Sequence, residues 1–178
     1  MPAPNLISHE QLCKRLSYAP DTGIFTWKRV PNAWKGWNEK FEGKRAGCLS
    51  RGYRIIRLEG RIYKASRLAW LYMTGHWPQG QIDHGNCDSL DDRFSNLRDA
   101  SPSENSCNRQ ILPTNSSGYK GIYWLKANKK WRAKVGINGK SHHLGLFDNP
   151  IEAALAYDAA ASKIHGKYAK TNKSLGIL

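Results

Sequence analysis

Residues 82 to 98 read IDHGNCDSLDDRFSNLR, and they set Asp83 beside His84, with Asn96 12 residues after the histidine. Asn105 follows nine residues later. These residue types suit phosphodiester hydrolysis. That reaction needs a cation to stabilise charge on the phosphate and on the leaving oxygen, a base to activate water, and a group to aim the base. Asp83 and the side-chain oxygen of Asn105 are hard ligands suited to Mg2+, or another divalent cation such as Mn2+, with waters and phosphate oxygens filling the remaining positions. His84 suits the base, since imidazole titrates near neutrality. Asn96 can hold the loop or orient His84. Taken singly, each of these has a plainer reading: Asp83-His84 as a surface turn, Asp88, Asp91 and Asp92 as a solvated loop, and Asn96 as its cap.

The placement of these acids is informative because the chain is otherwise basic. It has 178 residues, a formal net charge of +14 and a pI near 9.8. Residues 1–78 hold 14 Lys and Arg against 5 Asp and Glu, residues 79–117 hold 3 against 6, and residues 118–178 hold 11 against 3. A surface meant only for phosphate would avoid acids in its middle, since they repel the backbone it must approach. Carboxylates between two basic stretches point to a bound cation, and the overall charge points to a polyanion, with nucleic acid the first candidate. Hydrophobic content of 40% supports a buried core and argues against a disordered tail. No apolar run approaches the roughly 20 residues of a membrane helix, and MPAPNLISHEQL lacks the basic start and apolar core of a secretory signal. The expected location is the cytoplasm, including that of a host cell if the protein is phage-encoded. Cys13, Cys48, Cys87 and Cys107 form no CxxC and read as free thiols. A zinc site from Cys87, Cys107 and a histidine gains little support from the spacing.

The elements that must position these residues are legible in part. Ser8 with Gln11 predicts a capped helix start, with Leu12 and Leu16 on one face and a turn at Pro20-Asp21-Thr22-Gly23. Ile24–Trp27 reads as a strand, residues 30–49 as loop, and Tyr53–Leu58 with Arg61–Lys64 as a hairpin about Glu59-Gly60. Ala65 to Thr74 reads as a helix stopped by Gly75. Gln81-Ile82-Asp83 and Phe94–Arg98 are extended pieces. Ser101-Pro102-Ser103-Glu104 starts a helix over 102–109, which places Asn105 in its second turn and Asn108 and Arg109 one turn further on. Three strands follow, Tyr119–Trp124, Trp131–Ile137 and His142–Leu146, with turns at Asn128-Lys129 and Asn138-Gly139. Asn149-Pro150-Ile151-Glu152 then opens a last helix with a buried stripe of Ala153, Ala154, Tyr157, Ala160, Ala161 and Ile164. The fold class is α+β: a ββα module followed by a small domain of a three-stranded antiparallel sheet packed on one helix. The expected divisions are a basic N-terminal region at 1–78, a nuclease core at 79–112, a linker at 113–117 and a DNA-binding domain at 118–174.

The ordered set IDH, SNLR and SENSCN resembles the HNH (ββα-metal) endonucleases of the phage and intron homing type. The preceding stretch, YRIIRLEGRIYKASRLAWLYMTGHWP, resembles the region that commonly precedes that motif. The resemblance implies His84 and Asn96 as catalytic residues and Asp83 and Asn105 as metal ligands. The last motif residue, often His in the family, is Asn105 here, an H-N-N variant with a weaker ligand.

Residues 117–172 resemble the DNA-binding domain of plant ethylene-response (APETALA-type) factors. The markers are Tyr119-Lys120-Gly121, Lys130-Trp131-Arg132-Ala133, Leu144-Gly145, Phe147-Asp148, Glu152-Ala153-Ala154, Ala156-Tyr157-Asp158, Ala160-Ala161, Gly166 and Asn172. That family lays its sheet in the major groove with the helix behind. Here the polar face presents Lys120, Tyr123, Arg132, Lys134 and His143, with Arg109 just upstream, and these are the expected DNA-binding residues. Lys120, Tyr123 and Gly136 stand where the family has arginines, so its base specificity does not transfer. The expected partner is double-stranded DNA, with no membrane and no required protein partner. The expected activity is site-directed cleavage with one divalent metal and a histidine base. A non-catalytic DNA-binding regulator on a degenerate HNH scaffold is the competing class. RNA binding fits the charge but not a groove-docking sheet.

Overall fold

The computed structural model describes residues 6–137 and 139–178. They fall into two compact units, 1–99 and 100–178, whose boundary lies inside a strand.

In the first unit, α1 (His9–Arg15) carries the expected capping box: Ser8 Oγ accepts the Gln11 amide and Gln11 Oε1 accepts the Ser8 amide. The helix ends one residue before Leu16. Leu16 instead opens β1 (Leu16–Ala19), which pairs antiparallel with β2 (Ile24–Trp27). Leu16 and Tyr18 point inward at a spacing of two, so burial on a strand overrides the helical spacing of Leu12 and Leu16. The stretch expected to be loop holds α2 (Trp37–Phe41) and β3 (Cys48–Ser50). The short α2 is tied down by Asn38, whose amide side chain bonds both the N–H and the C=O of Val30. β3 pairs with β4 (Tyr53–Leu58), and β4 with β5 (Arg61–Lys64), so the expected hairpin is the core of a three-stranded sheet. Across its inner face runs α3 (Ala65–Thr74), closed by Gly75 at φ 79°. Ile56, Leu58, Tyr63, Leu68 and Leu71 join Leu12, Leu16 and Phe25 in one buried cluster. Burying such side chains contributes about 1.5–3 kcal/mol each, which makes this core the support on which the next elements rest. They are β6 (Gln81–His84) and β7 (Leu97–Ala100), a two-stranded sheet. The expected extended piece at 94–98 is a 3₁₀ turn over Phe94–Asn96 leading into β7.

The second unit opens with α4 (Pro102–Cys107), again a capping box, here between Ser101 and Glu104. It stops at Cys107, short of Arg109, with Asn108 as its C-cap. β8 (Ile122–Leu125), β9 (Lys130–Ile137) and β10 (Lys140–Phe147) form an antiparallel sheet in the order β10-β9-β8. β8 starts three residues later than expected. Side-chain bonds from Asn115 and Ser117, with Gly118 and Gly121 at positive φ, fold residues 115–121 into turns instead. Of the turn expected at Asn138-Gly139, Asn138 lies outside the described residues. α5 (Pro150–His165), capped by Asn149, sets Ala153, Ala154, Tyr157 and Ala161 against Ile122, Ala133 and Val135. Ile164, expected in that stripe, is exposed. It sits in the last turn of α5, two residues before the Gly166 C-cap, beyond the stretch in which Ala153, Ala154, Tyr157 and Ala161 meet the sheet. Gly121 shows how close the packing is: a Cβ at this position would sit 2.1 Å from the Tyr157 ring. The observed class is α+β, with β6, β7 and α4 following one another in a ββα order and a three-stranded sheet on one helix at the C-terminal end.

Candidate active site and DNA-binding face

The end of β6 carries two buried polar residues side by side, Asp83 and His84, at 3% and 6% exposure. Each has a charged partner in the first unit. Arg98 on β7 binds Asp83 Oδ2 through Nε at 3.0 Å and also through Nη2. Strand pairing sets this up, since β6 and β7 are neighbours. A carboxylate buried this deeply needs such compensation, and the fork of the guanidinium fixes its orientation as well as its charge. His84 Nε2 donates to Asp92 Oδ1 at 3.0 Å, and Asp92 is itself 3% exposed. This orients the imidazole, and Nε2–H donation leaves the neutral ring's acceptor lone pair on Nδ1.

Asp92 is held from several sides. Tyr18 Oη donates to its carbonyl at 2.6 Å, and the burial of Tyr18 beside Asp92 pushes its phenol pKa well up. The turn between β1 and β2 presses on the same segment. Gly23, at φ 70°, would place a Cβ 2.4 Å from the Asp92 carbonyl carbon, and the Phe94 amide donates to the Pro20 carbonyl. Any side chain at Gly23 must displace the stretch of backbone that carries the histidine's partner.

The bonds of Asn96 go to the loop and not to the His84 ring. Its Nδ2 donates to the Asn86 side chain at 3.0 Å and to the Asp91 carbonyl at 2.8 Å, while its Oδ1 accepts the Asn86 amide. Asn86 in turn donates to Asp91 at 2.7 Å. Arg93 grips Asp91 through two nitrogens, which holds that carboxyl down at a pKa of about 2. Cys87, at φ 64°, makes the sharp turn after His84. Asn105 lies on α4, in the second unit, its amide bonded to the Ser101 carbonyl. Among the described residues no three His, Cys, Asp or Glu side chains converge as ligands for an ion. The Asp83 carboxylate is a hard oxygen donor of the kind that Mg2+ takes together with water and substrate oxygens.

In the second unit the cross-strand register decides which side chains are open. Tyr123 pairs with Arg132, Arg132 with Leu146, and Lys134 with His143, so these face away from α5. Lys134 Nζ lies 4.4 Å from the Tyr123 ring centre, a cation–π contact. Arg132 Nε is buried and has no hydrogen-bond partner among the described residues. Lys120 behaves differently. Its ammonium donates to the Cys107 and Arg109 carbonyls at 2.8 and 2.7 Å, which ties the end of α4 to the start of the sheet. Arg109 itself is exposed. Beside this face is a cavity of about 420 Å³ lined by Lys120, Tyr123, Lys134, Lys140, Cys107 and His165. Burial there raises the Cys107 thiol and lowers the His165 imidazole, so both are neutral at physiological pH.

The HNH endonuclease family matches residues 63–107, the stretch from β5 to the end of α4. Protein 3.8 of Escherichia phage T7 is 36% identical over 114 residues, which are 62% of this chain and 93% of that protein. The chain belongs to the HNH endonucleases. An uncharacterized HNH endonuclease, L560, of Acanthamoeba polyphaga mimivirus is 33% identical over 123 residues, 68% of this chain and 63% of that protein. The AP2 domain family matches residues 117–167. APETALA2-like protein 2 of Oryza sativa subsp. indica is 44% identical over 59 residues, 32% of this chain but only 13% of that protein. An HNH nuclease module and an AP2 domain are thus joined in one chain, and both families imply DNA as partner. HNH endonucleases as a family work with a divalent metal. Among the described residues no helix is long and apolar enough to cross a membrane.

Sequence reasoning missed Asp92, Arg98, Asn86 and Tyr18. Asp92 was visible only as one acid among several in a loop. Arg98 has a signal in hindsight: a lone arginine at the strand position facing a buried aspartate. Tyr18 and Gly23 act from distant positions in the sequence and left no local sign.

Proposed function

We propose that this HNH endonuclease hydrolyses phosphodiester bonds of duplex DNA, with His84 as general base. The observation that carries this reading is the buried His84–Asp92 pair next to the buried Asp83–Arg98 pair. An ion pair and a hydrogen-bonded imidazole–carboxylate pair side by side at one strand end are costly to bury and stabilise little by themselves, so a fold has reason to keep them where chemistry uses them. His84 accepts a proton from water as the water oxygen bonds to phosphorus and the P–O bond to the leaving sugar oxygen breaks. Asp92 holds the ring through Nε2 and balances the imidazolium that forms. Asn96, with Asn86 and Asp91, keeps the loop closed around that pair. Arg98 fixes the Asp83 carboxylate. A divalent cation, Mg2+ by preference, would be held by Asp83 and Asn105 with water, and would neutralise charge on the phosphate and leaving oxygen.

Duplex DNA would lie on the open face of the C-terminal sheet, on Tyr123, Arg132, Lys134 and His143, with the basic N-terminal region adding affinity. The guanidinium of Arg132 can offer a forked pair of donors to a phosphate or base edge. Lys120 serves mainly to join α4 to the sheet, and Arg109 is available to phosphate. The proposed divisions are a basic N-terminal region at 1–78, a nuclease core at 79–112, a linker at 113–117 and a DNA-binding domain at 118–174. The place of action is the cytoplasm of a host cell. The second reading, a DNA-binding regulator, draws on Arg98: a guanidinium on Asp83 would also stabilise a scaffold that no longer binds metal. Supercoiled plasmid separates them. Nicking that needs Mg2+ or Mn2+ and stops with chelator or with Asp83→Ala is the expected result. Tight binding without any nicking would establish the regulator.

A further inference from the structure

We infer that the open face of the N-terminal sheet, β3-β4-β5, is a second docking surface for duplex DNA, a proposal that rests on DNA being the partner of this chain. The register places Tyr53, Ile55 and Arg57 of β4 and Ile62 and Lys64 of β5 on one face, since Ile55 pairs with Lys64 and Arg57 with Ile62. The opposite face packs on α3 through Ile56, Leu58 and Tyr63. The open face is left bare: Ile62 is 56% exposed, and Arg57 and Lys64 are exposed.

Its chemistry matches the open face of the AP2 sheet. Both are three-stranded, antiparallel and backed by a helix. Lys64 Nζ sits 3.4 Å from the Tyr53 ring centre, as Lys134 sits over Tyr123. Arg57 pairs across the strands with the aliphatic Ile62, as Arg132 pairs with Leu146. Among the described residues of the three strands there is no acidic side chain. Glu59, in the turn, is engaged with Arg15 at 3.5 Å. Around the β5 edge, Arg57, Arg61, Ile62, Lys64 and Arg67 line a groove of about 630 Å³.

This concentration of charge asks for a polyanion, and the shape selects the duplex. Strands about 4.8 Å apart make a three-stranded sheet about 10 Å across, which suits a major groove about 12 Å wide. A single strand would need bare aromatic rings on which to stack its bases. Here Lys64 covers Tyr53, and Trp77 is stacked on Tyr63 with Arg67 at its ring. Position also favours the cutting reaction: Ser89, in the loop that carries Asp92, donates to the carbonyl of Gly52 in the β3–β4 turn at 2.5 Å. DNA on this face would lie against the element that touches the His84 loop.

The test uses the full-length chain and a short labelled duplex, titrated at low and at physiological salt. Arg57→Gln with Lys64→Gln should reduce the slope of log affinity against log salt by about 1.8, which is about 0.9 for each phosphate no longer neutralised. The melting temperature should hold, because both side chains are exposed. In parallel, a photo-crosslinking residue in place of Ile62 should join the protein to the duplex. An unchanged slope, cross-linking to a second copy of the chain, or efficient competition by single-stranded DNA would each overturn the proposal. Absence of nicking by the unaltered chain, with the slope change and cross-link as expected, would count against the hydrolytic reading alone. Normal nicking with an unchanged slope would sink this one alone.

Discussion

The two units use their buried polar groups in opposite ways. In the first, Asp83, His84 and Asp92 are buried together around one loop, each tied to a partner that also sets its direction. In the second, the buried polar anchor is Asn172, which bonds the Lys120 backbone and Asp158 and locks the chain end against the first strand. Arg132, Lys134 and His143 face outward from its sheet, away from α5. The first unit gives up stability to hold titratable groups in a fixed geometry. The second builds a rigid platform whose outer face waits for a ligand. On the proposed function, this arrangement keeps the side chains that would hold DNA apart from those that would cut it.

The contrast is most exposed at Asp92. Asp92→Asn should lower the nicking rate at saturating DNA by about 10- to 100-fold, the range seen when a group that orients a functional histidine is removed. Affinity for duplex should not move. A rate within a factor of about two of wild type would make Asp92 only a packing residue.

The outer face of the second unit should answer in the opposite sense. Arg132→Ala with Lys134→Ala should weaken binding and lower the salt slope by about 1.8, while the rate at saturating DNA holds. Lys120→Ala should instead cost stability and leave the slope nearly unchanged, because its ammonium is bound to two carbonyl oxygens. Titration at two salt concentrations, with thermal melts, separates the three side chains. A slope change for Lys120→Ala equal to those of the other two would place it on the DNA face after all.

How much of this was legible in sequence differs between the units for a physical reason. The AP2 domain is read from local patterns: alternation in β9, the Asn149-Pro150 cap and the alanine stripe of α5 each act within a few residues. Even there Ile164 misled, because its helical spacing continues the stripe into the last turn of α5, beyond the residues that meet the sheet. In the HNH unit the motif residues Asp83, His84 and Asn96 were legible by type and order, but their partners were not. Asp92 is one of three acids in a loop, and only the fold shows which of them is buried. Leu16 was drawn into a helix by its spacing from Leu12, although its strand partner Trp27 lies beyond the following turn. Tyr18 and Gly23 brace Asp92 from that same hairpin, a contact set by tertiary packing and by nothing local.

A smaller effect should follow acid. Arg93 holds the Asp91 carboxyl at about 2, below its usual value near 3.9. A group depressed in the folded state stabilises it fully above the unfolded value, and that contribution fades as pH falls from about 4 toward 2. The loop that Asn86, Asp91 and Asn96 close should therefore loosen in that window before the AP2 domain responds. Amide exchange at Asn86 and Arg93 measured against pH would show it, and Asp91→Asn should remove the dependence. Equal acid sensitivity in both units would erase the contrast.

On the proposed function His84 is the base, and grip lies on sheet faces away from it. Single-turnover nicking by wild type and His84→Ala, at saturating duplex with Mg2+ and with affinities measured on the same samples, tests it most directly. The rate should fall by about 10²- to 10⁴-fold with the dissociation constant changed less than about twofold. A His84→Ala protein that nicks at the wild-type rate, or one that loses activity only because it no longer binds DNA, would contradict the account.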